Sequence, residues 1–245
     1  MKKLLFLFDT DPYASVFDTV VAYDVGADRV TGYANVTADN VGALVDGAIF
    51  TRGGKEKQNT AIFVGGGDMT KGEALLKAVK KKFFGPFRVS VMLDPNGSNT
   101  TAVAAVVKIE QALGDVSGKK VVILAGTGPV GQRAAGLLAR GGARVLITSR
   151  KPEQGEKARQ FISARFNVPV ESTTMSDPSQ LAGVLDGAEV LLNSGPAGVQ
   201  MVSRAAWSAV KSLKVAVDLN AVPPLGIEGV DVDASGQKRD GVIMY

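Results

Sequence analysis

The sequence predicts an α/β protein in which parallel strands alternate with helices, arranged as an N-terminal α/β domain over residues 1–98 and a doubly wound parallel-sheet domain over residues 99–245. Three observations predict it. Short apolar runs rich in Val, Ile and Leu recur without alternation, as strands buried on both faces of a parallel sheet require. Apolar residues at helical spacing separate those runs. One stretch, Lys119 to Lys151, contains a complete strand, glycine turn, helix and second strand in order, and the rest of the chain is arranged around it.

Val121-Val122-Ile123-Leu124-Ala125 is the first strand of that stretch. Gly126-Thr127-Gly128-Pro129-Val130-Gly131 follows at once and fits G-x-G-x-x-G. In that pattern the first glycine permits a tight turn, the second lets a pyrophosphate approach the backbone, and the third lets helix pack on strand. Pro129 suits a first helical turn. Val130, Ala134, Leu137 and Leu138 continue the helix until Gly141-Gly142, and Arg144 to Thr148 reads as the second buried strand. This is a Rossmann-type dinucleotide unit, with the helix N-terminal amides turned toward a pyrophosphate.

The end of the second strand selects the cofactor, because a carboxylate there holds the ribose 2′-hydroxyl of NAD. Here the residues are Ser149-Arg150-Lys151. A hydroxyl, a guanidinium and an ammonium can each donate to a 2′-phosphate, so NADP is the expected cofactor, with NAD as the lesser choice.

Composition limits the chemistry. The chain has no cysteine and no histidine, which removes disulfides, thiolate nucleophiles, imidazole bases and the commonest zinc ligands. Catalysis must therefore use carboxylates, Lys, Tyr, Ser/Thr, backbone groups or a cofactor. With 28 basic and 24 acidic residues the net charge is +4, too small and dispersed to imply nucleic acid. Met1 to Phe8 briefly resembles a signal peptide, but its apolar core stops at Asp9, and nothing later approaches a membrane span. A cytoplasmic protein is expected.

In the N-terminal domain, Leu4 to Phe8 is a first strand, followed by the acidic turn Asp9-Thr10-Asp11-Pro12 and a helix carrying Val16, Phe17, Val20 and Val21. Arg29 to Val36 reads as a second strand, with Asp39 placed to cap a short helix through Val45. Gly47 to Thr51 reads as a third strand, which would set the polar loop Arg52 to Asn59 at a strand's carboxyl end, where ligands bind. Thr60 to Val64 is another strand, ending in Gly65-Gly66-Gly67-Asp68. Thr70 with Glu73 predicts a capping box for a helix through Phe83, buried at Leu75, Leu76, Val79 and Phe83. The lysines Lys77, Lys80, Lys81 and Lys82 mark its solvated face. Phe87 to Leu93 is the last strand before the turn cluster Asp94 to Ser98, the domain boundary, and a helix from Asn99 to Leu113 leads into the nucleotide unit.

Beyond Lys151 the winding continues as helix Glu153 to Phe166, strand Val168 to Thr173, helix Ser179 to Leu185 and strand Glu189 to Leu192. The loop Asn193 to Gly198 then lies where ribose and nicotinamide meet such a sheet, making Ser194 and Gly195 cofactor candidates. Trp207 reads as core. Lys214 to Leu219 is the final strand, and Asn220, in the stiff turn that follows, joins the cofactor candidates.

Several long runs resemble the NADP-dependent methylene-tetrahydromethanopterin dehydrogenases of methylotrophic bacteria. They are Leu4-Leu5-Phe6 with Phe8-Asp9-Thr10-Asp11, Thr51 to Gln58, Phe63 to Met69, Phe83 to Ser90, Asn96 to Ala102, and Pro223-Pro224-Leu225-Gly226. The resemblance covers nearly the whole chain. It implies oxidation of a reduced pterin's one-carbon unit from methylene to methenyl, a pterin-binding N-terminal domain facing an NADP domain across a cleft, and a homo-oligomer. Some members of the family accept NAD or tetrahydrofolate as well. The family also continues past this point with more glycine-rich strand and a closing helix, so an end at Val242-Ile243-Met244-Tyr245 reads as truncated.

Oxidising a methylene held between two nitrogens expels hydride and leaves an amidinium-like cation, so no general base is required. A nearby carboxylate would help, and Asp9, Asp11, Asp18 and Asp68 are candidates, Asp11 and Asp18 foremost. Two other readings differ. A shikimate-like NADP dehydrogenase would need a base at a hydroxyl, with Lys55 the obvious candidate, and a non-catalytic NADP sensor would need none.

Overall fold

The computed structural model describes residues 1–220 and 222–245. Its backbone contacts divide it into two compact units, Met1–Asn99 and Thr100–Tyr245. The fold is α/β, with a parallel sheet in each unit.

The first unit contains β1 (Leu4–Asp9), α1 (Val16–Asp24), β2 (Arg29–Tyr33), α2 (Gly42–Phe50), β3 (Thr60–Gly65), α3 (Met69–Lys81) and β4 (Ser90–Leu93). All pairs are parallel, in the order β2-β1-β3-β4, with Leu4 opposite both Arg29 and Thr60. The chain moves outward from β1 to β2 and then returns past β1 to β3. The switch point of this sheet is therefore the gap between the carboxyl ends of β1 and β3.

Five sequence expectations change here. Gly47 to Thr51 is not a strand but the end of α2, because Val41, Val45, Ala48 and Ile49 fall at helical spacing and are buried together with Ile62, Val64, Leu75 and Val79. A short apolar run has no length to distinguish the two states; its upstream spacing does. β2 stops at Tyr33, since Asn35 adopts a left-handed φ of 52° and Asn40 holds the resulting turn through the Asn35 carbonyl. Asp39 caps nothing at the start of α2. α3 is capped by Asp68, whose Oδ1 accepts from Thr70 and Lys71 N–H at 2.7 and 3.1 Å. The predicted strand from Phe87 is shortened to Ser90–Leu93 by a tight turn joining Phe84 and Phe87.

α4 (Ser98–Leu113) runs from the end of the first unit into the second. There follow β5 (Lys120–Leu124), α5 (Pro129–Arg140), β6 (Arg144–Ser149), α6 (Pro152–Phe166), β7 (Glu171–Thr174), α7 (Leu181–Leu185), β8 (Val190–Asn193), α8 (Arg204–Ser208), β9 (Val215–Asp218), β10 (Gln237–Arg239) and β11 (Val242–Met244). The sheet order is β10-β11-β9-β8-β5-β6-β7, parallel except for the β10–β11 pair. From β7 to β11 this is the dinucleotide-fold order, with its switch point between β5 and β8. Val121 and Ile123 enter one core layer, with α4, α5 and α6; Val122 and Leu124 enter the other, with Trp207. Trp207 is fully buried, as a core residue should be, and its indole N–H donates to the Glu228 carbonyl at 2.8 Å.

Candidate functional site

The glycine turn lies at the carboxyl end of β5. Ala125 sits there at a left-handed φ of 51°, which costs a non-glycine residue about 1–2 kcal/mol. Its N–H donates to Thr148 Oγ1 at 3.0 Å and the Gly126 N–H to the Thr148 carbonyl at 3.1 Å, so the bend is pinned to β6. A methyl on Gly126 would come within 2.8 Å of Ile147, and one on Gly131 within 2.7 Å of both the Gly126 Cα and Ser194 Oγ. A methyl on Gly128 would meet nothing within 4 Å. The outer glycines are thus required by close packing, whereas the middle one faces open space. That space lies at the start of α5, which has no side-chain cap. Amides without a side-chain cap, with room in front of them, fit a pyrophosphate. Pro129 takes the first helical position, and Val130 packs at the edge of the core. Thr127 offers its carbonyl to Gln132 Nε2.

At the end of β6 the three candidates separate. Ser149 is buried; its hydroxyl donates to the Lys151 carbonyl at 2.8 Å and accepts the Lys151 N–H at 3.2 Å, which shapes the turn into α6. Arg150 and Lys151 are exposed. Two exposed cations therefore stand at the carboxyl end of β6.

Across the switch point, Ser194 donates its hydroxyl to the Leu124 carbonyl at 2.9 Å and its N–H to the same oxygen at 3.1 Å. Gly195 N–H donates to Asn193 Oδ1 at 3.1 Å. Asn193 is fully buried and donates Nδ2 to Asp218 Oδ1 at 2.8 Å. Asp218 also accepts from the Asn220 N–H at 3.1 Å and the Ile227 N–H at 2.7 Å. Asn220 Oδ1 accepts from Gly198 N–H at 3.1 Å. Asn193, Asp218 and Asn220 together fix both loops at the carboxyl ends of β8 and β9. Asn193 was not singled out in the sequence; its signal is a polar residue closing an otherwise apolar strand.

The first unit has a comparable arrangement between β1 and β3. Asp9 is buried and accepts from the Asp11 and Ser15 N–H groups, both at 2.9 Å. Asp11 Oδ2 accepts from Gly67 N–H at 2.8 Å, joining the two loops across the switch point. Gly66 has φ +112° and lies against the Thr10 hydroxyl, with no room for a side chain. Asp18 is half-buried on the first turn of α1, and its Oδ2 would lie 3.5 Å from a methyl on Gly65. Burial raises its pKa, a Ser15 hydrogen bond partly offsets this, and the charges of Asp9 and Asp94 raise it further. Asp9, Asp11 and Asp68 thus hold turns and caps, while Asp18 is a half-buried carboxylate with a raised pKa beside Gly65, at the end of β3.

Lys55 is placed differently from the sequence expectation. The segment Gly54–Asn59 is a 3-10 turn leading into β3, so Lys55 lies at the amino edge of the sheet and not at a strand's carboxyl end. Asp11 and Asp18 occupy the opposite edge, the length of a six-residue strand away. The misread strand at Gly47 to Thr51 is the cause. Within this turn region Arg52 bridges the Asn59 carbonyl and Thr60 Oγ1, and Lys57 donates to the Pro86 carbonyl.

Residues 16–96 match the family model described as "Methylene-tetrahydromethanopterin dehydrogenase, N-terminal". The chain is 54% identical over 241 residues to the "Bifunctional protein MdtA" of Methylorubrum extorquens, covering 98% of this chain and 84% of that protein. It is 32% identical over 239 residues to that organism's "NAD(P)-dependent methylenetetrahydromethanopterin dehydrogenase", covering 95% and 80%. Among solved structures, quinate dehydrogenase from Corynebacterium glutamicum in complex with NAD is similar in fold, with a TM-score of 0.50 and 15% identity over 94% of this chain and 88% of that one.

Proposed function

Because the chain belongs to the methylene-tetrahydromethanopterin dehydrogenase family, we propose that it oxidises methylene-tetrahydromethanopterin to the methenyl derivative with NADP as hydride acceptor. It is an NAD(P)-dependent oxidoreductase. The observation that carries this reading is the open face of Gly128 before the uncapped start of α5, in a chain related over nearly its whole length to a dehydrogenase of this substrate. The cations Arg150 and Lys151 at the end of β6 favour NADP over NAD, which serves as the weaker cofactor. Methylene-tetrahydrofolate is a second substrate of the same chemistry. The reading includes a cytoplasmic setting, in keeping with diffusible substrate and cofactor, and a homo-oligomer. Among the described residues no helix is long and apolar enough to cross a membrane.

Bound NADP supplies the hydride acceptor. The chain's residues orient and polarise. The amides at the start of α5 would hold the pyrophosphate and Arg150 and Lys151 the 2′-phosphate, while the Asn193–Asp218–Asn220 network fixes the loops that would lie beside the ribose. In the pterin, one C–H bond breaks with both electrons, and the adjacent nitrogen lone pairs take up the resulting positive charge. No proton moves. Asp18 is the carboxylate assigned to that charge: an ionised group disfavoured by burial and by two like charges gains when a cation forms beside it. At about 4 Å and an effective dielectric near 20 the attraction is roughly 4 kcal/mol. Part of that attraction would already be present before reaction, since the oxidised nicotinamide that NADP would bring is itself cationic.

The test is absorbance of NADPH after methylene-tetrahydromethanopterin is added to enzyme and NADP. Reduction is expected with this pterin; failure with both it and methylene-tetrahydrofolate would overturn the reading.

A further inference from the structure

The two faces of the second unit's sheet are covered unequally. Register partners in a parallel pair point to the same face, so Lys120 shares a face with Arg144, Val122 with Leu146, and Leu146 with Glu171. Alternation along β5 puts Lys120 on the side of Val122 and Leu124, the layer that holds Trp207. Over β6 and β7 the opposite layer is built by α6, fifteen residues long, and Val145 and Ile147 are buried beneath it. On the Trp207 side the crossover from β7 to β8 carries only the five residues of α7. At about 1.5 Å per residue that is roughly 8 Å of helix against roughly 22 Å. It is too short to cover both strands, and Leu146 stays half-buried and Glu171 exposed.

The uncovered strip is a cavity of about 220 Å³ lined by Lys120, Arg144, Val145, Leu146 and Glu171. Its charged groups are held in place but not neutralised. Lys120 Nζ donates to the Asp186 carbonyl at 2.6 Å, just past the end of α7, and Arg144 Nε donates to the Gly118 carbonyl at 3.0 Å. Both side chains keep further donors. Among the described residues neither cation forms an ion pair, and neither does Glu171. Arg144 and Glu171 are one strand and two residues apart, about 8 Å between Cα atoms by sheet geometry, and Leu146 adjoins both.

We propose that this cavity binds a free aliphatic α-amino acid. The carboxylate meets Lys120 and Arg144, the ammonium meets Glu171, and the side chain lies on Leu146. Other small ligands leave a charge unanswered: a phosphate or plain carboxylate faces Glu171, and a metal ion or simple amine faces two cations. At about 30 Å³ per water the cavity has the volume of about seven waters, enough for an amino acid such as valine and below the roughly 300 Å³ at which pockets for larger ligands begin. All three charged residues stand on paired strands, so little backbone ordering opposes binding. The site is at the amino ends of the strands, the length of the five-residue β5 from the glycine turn, and is separate from the nucleotide edge.

Binding here needs no cofactor, so its failure would leave the dehydrogenase reading standing, and the reverse. Titration calorimetry of the full chain with L-valine should show saturable binding at millimolar concentration or below. Isovalerate, which lacks the ammonium, and isobutylamine, which lacks the carboxylate, should each bind about tenfold more weakly or worse. Glu171→Gln should weaken L-valine by about tenfold and leave isovalerate unchanged or tighter, whereas Arg144→Gln should weaken both. Both positions are exposed, and an unchanged Tm reports that each variant folds. No saturable binding of L-valine or L-alanine, equal affinity for L-valine and isovalerate, or a folded Glu171→Gln chain that binds L-valine as wild type does overturns the proposal.

Discussion

A methyl group on Gly131 would lie 2.7 Å from Ser194 Oγ and equally close to the Gly126 Cα, whereas one on Gly128 would meet no protein atom within 4 Å. The two glycines therefore answer to different constraints. Gly128→Ala should keep the wild-type Tm and lose NADP affinity by tenfold or more, since its methyl occupies the pyrophosphate's space. Gly131→Ala should lose about 1–3 kcal/mol of stability through overpacking against a backbone that cannot retreat. Thermal melts and calorimetry on both variants check this; a Gly128→Ala protein with intact NADP affinity would remove the nucleotide from this turn.

Arg150→Ala should raise the KM for NADP and leave that for NAD nearly unchanged. One charge-assisted hydrogen bond is worth about 1.5–3 kcal/mol, or roughly tenfold to a hundredfold in affinity. Ser149→Ala should behave differently. Its hydroxyl holds the Lys151 turn, so both cofactors should weaken together. Steady-state kinetics with each cofactor distinguishes the two effects.

Asp18→Asn should lower kcat by about tenfold to a thousandfold, at 1.36 kcal/mol per decade, and at the same time raise stability. The sign follows from the raised pKa of Asp18. The folded state binds this proton more tightly than the unfolded chain, so the carboxylate's penalty is absent below the unfolded pKa and complete above the folded one. The variant's advantage in Tm should therefore be largest at neutral pH and disappear on acidification. A variant that loses both activity and stability at neutral pH would mean that Asp18 is a structural residue.

Asp218→Ala should be more damaging than its partial exposure suggests. It leaves Asn193 Nδ2 and the N–H groups of Asn220 and Ile227 without their acceptor, and an unsatisfied buried donor costs about 1–3 kcal/mol. Hydrogen exchange should show faster opening of the segments 193–198 and 222–227, with NADP affinity reduced accordingly.

The nucleotide unit was legible because its signals agree. Val121 to Leu124 is apolar without alternation, Gly126 to Gly131 has fixed spacing, and Pro129 starts a helix, so local and tertiary demands coincide. The first unit was less legible at Ala48-Ile49-Phe50, which suit either a strand or a buried helix. Only the upstream positions Val41 and Val45 decide it. That single misassignment moved Lys55 from one edge of the sheet to the other. The division of labour among carboxylates was also hidden. Asp9, Asp11, Asp18 and Asp68 are equivalent in sequence, and only their surroundings distinguish turn, cap and a half-buried carboxylate with a raised pKa. Ser149 suffered the same ambiguity, because a hydroxyl beside two cations can face a phosphate or its own turn.

The central claim is hydride transfer without a proton, and isotope tracing tests it most directly. Methylene-tetrahydromethanopterin bearing deuterium on the one-carbon unit should pass one deuterium to NADPH and none to water, with a kcat that is flat between about pH 6 and 8, where no unperturbed side chain of this sequence titrates. Deuterium released to solvent, or a bell-shaped profile abolished by Lys55→Ala, would contradict it and require a protein base.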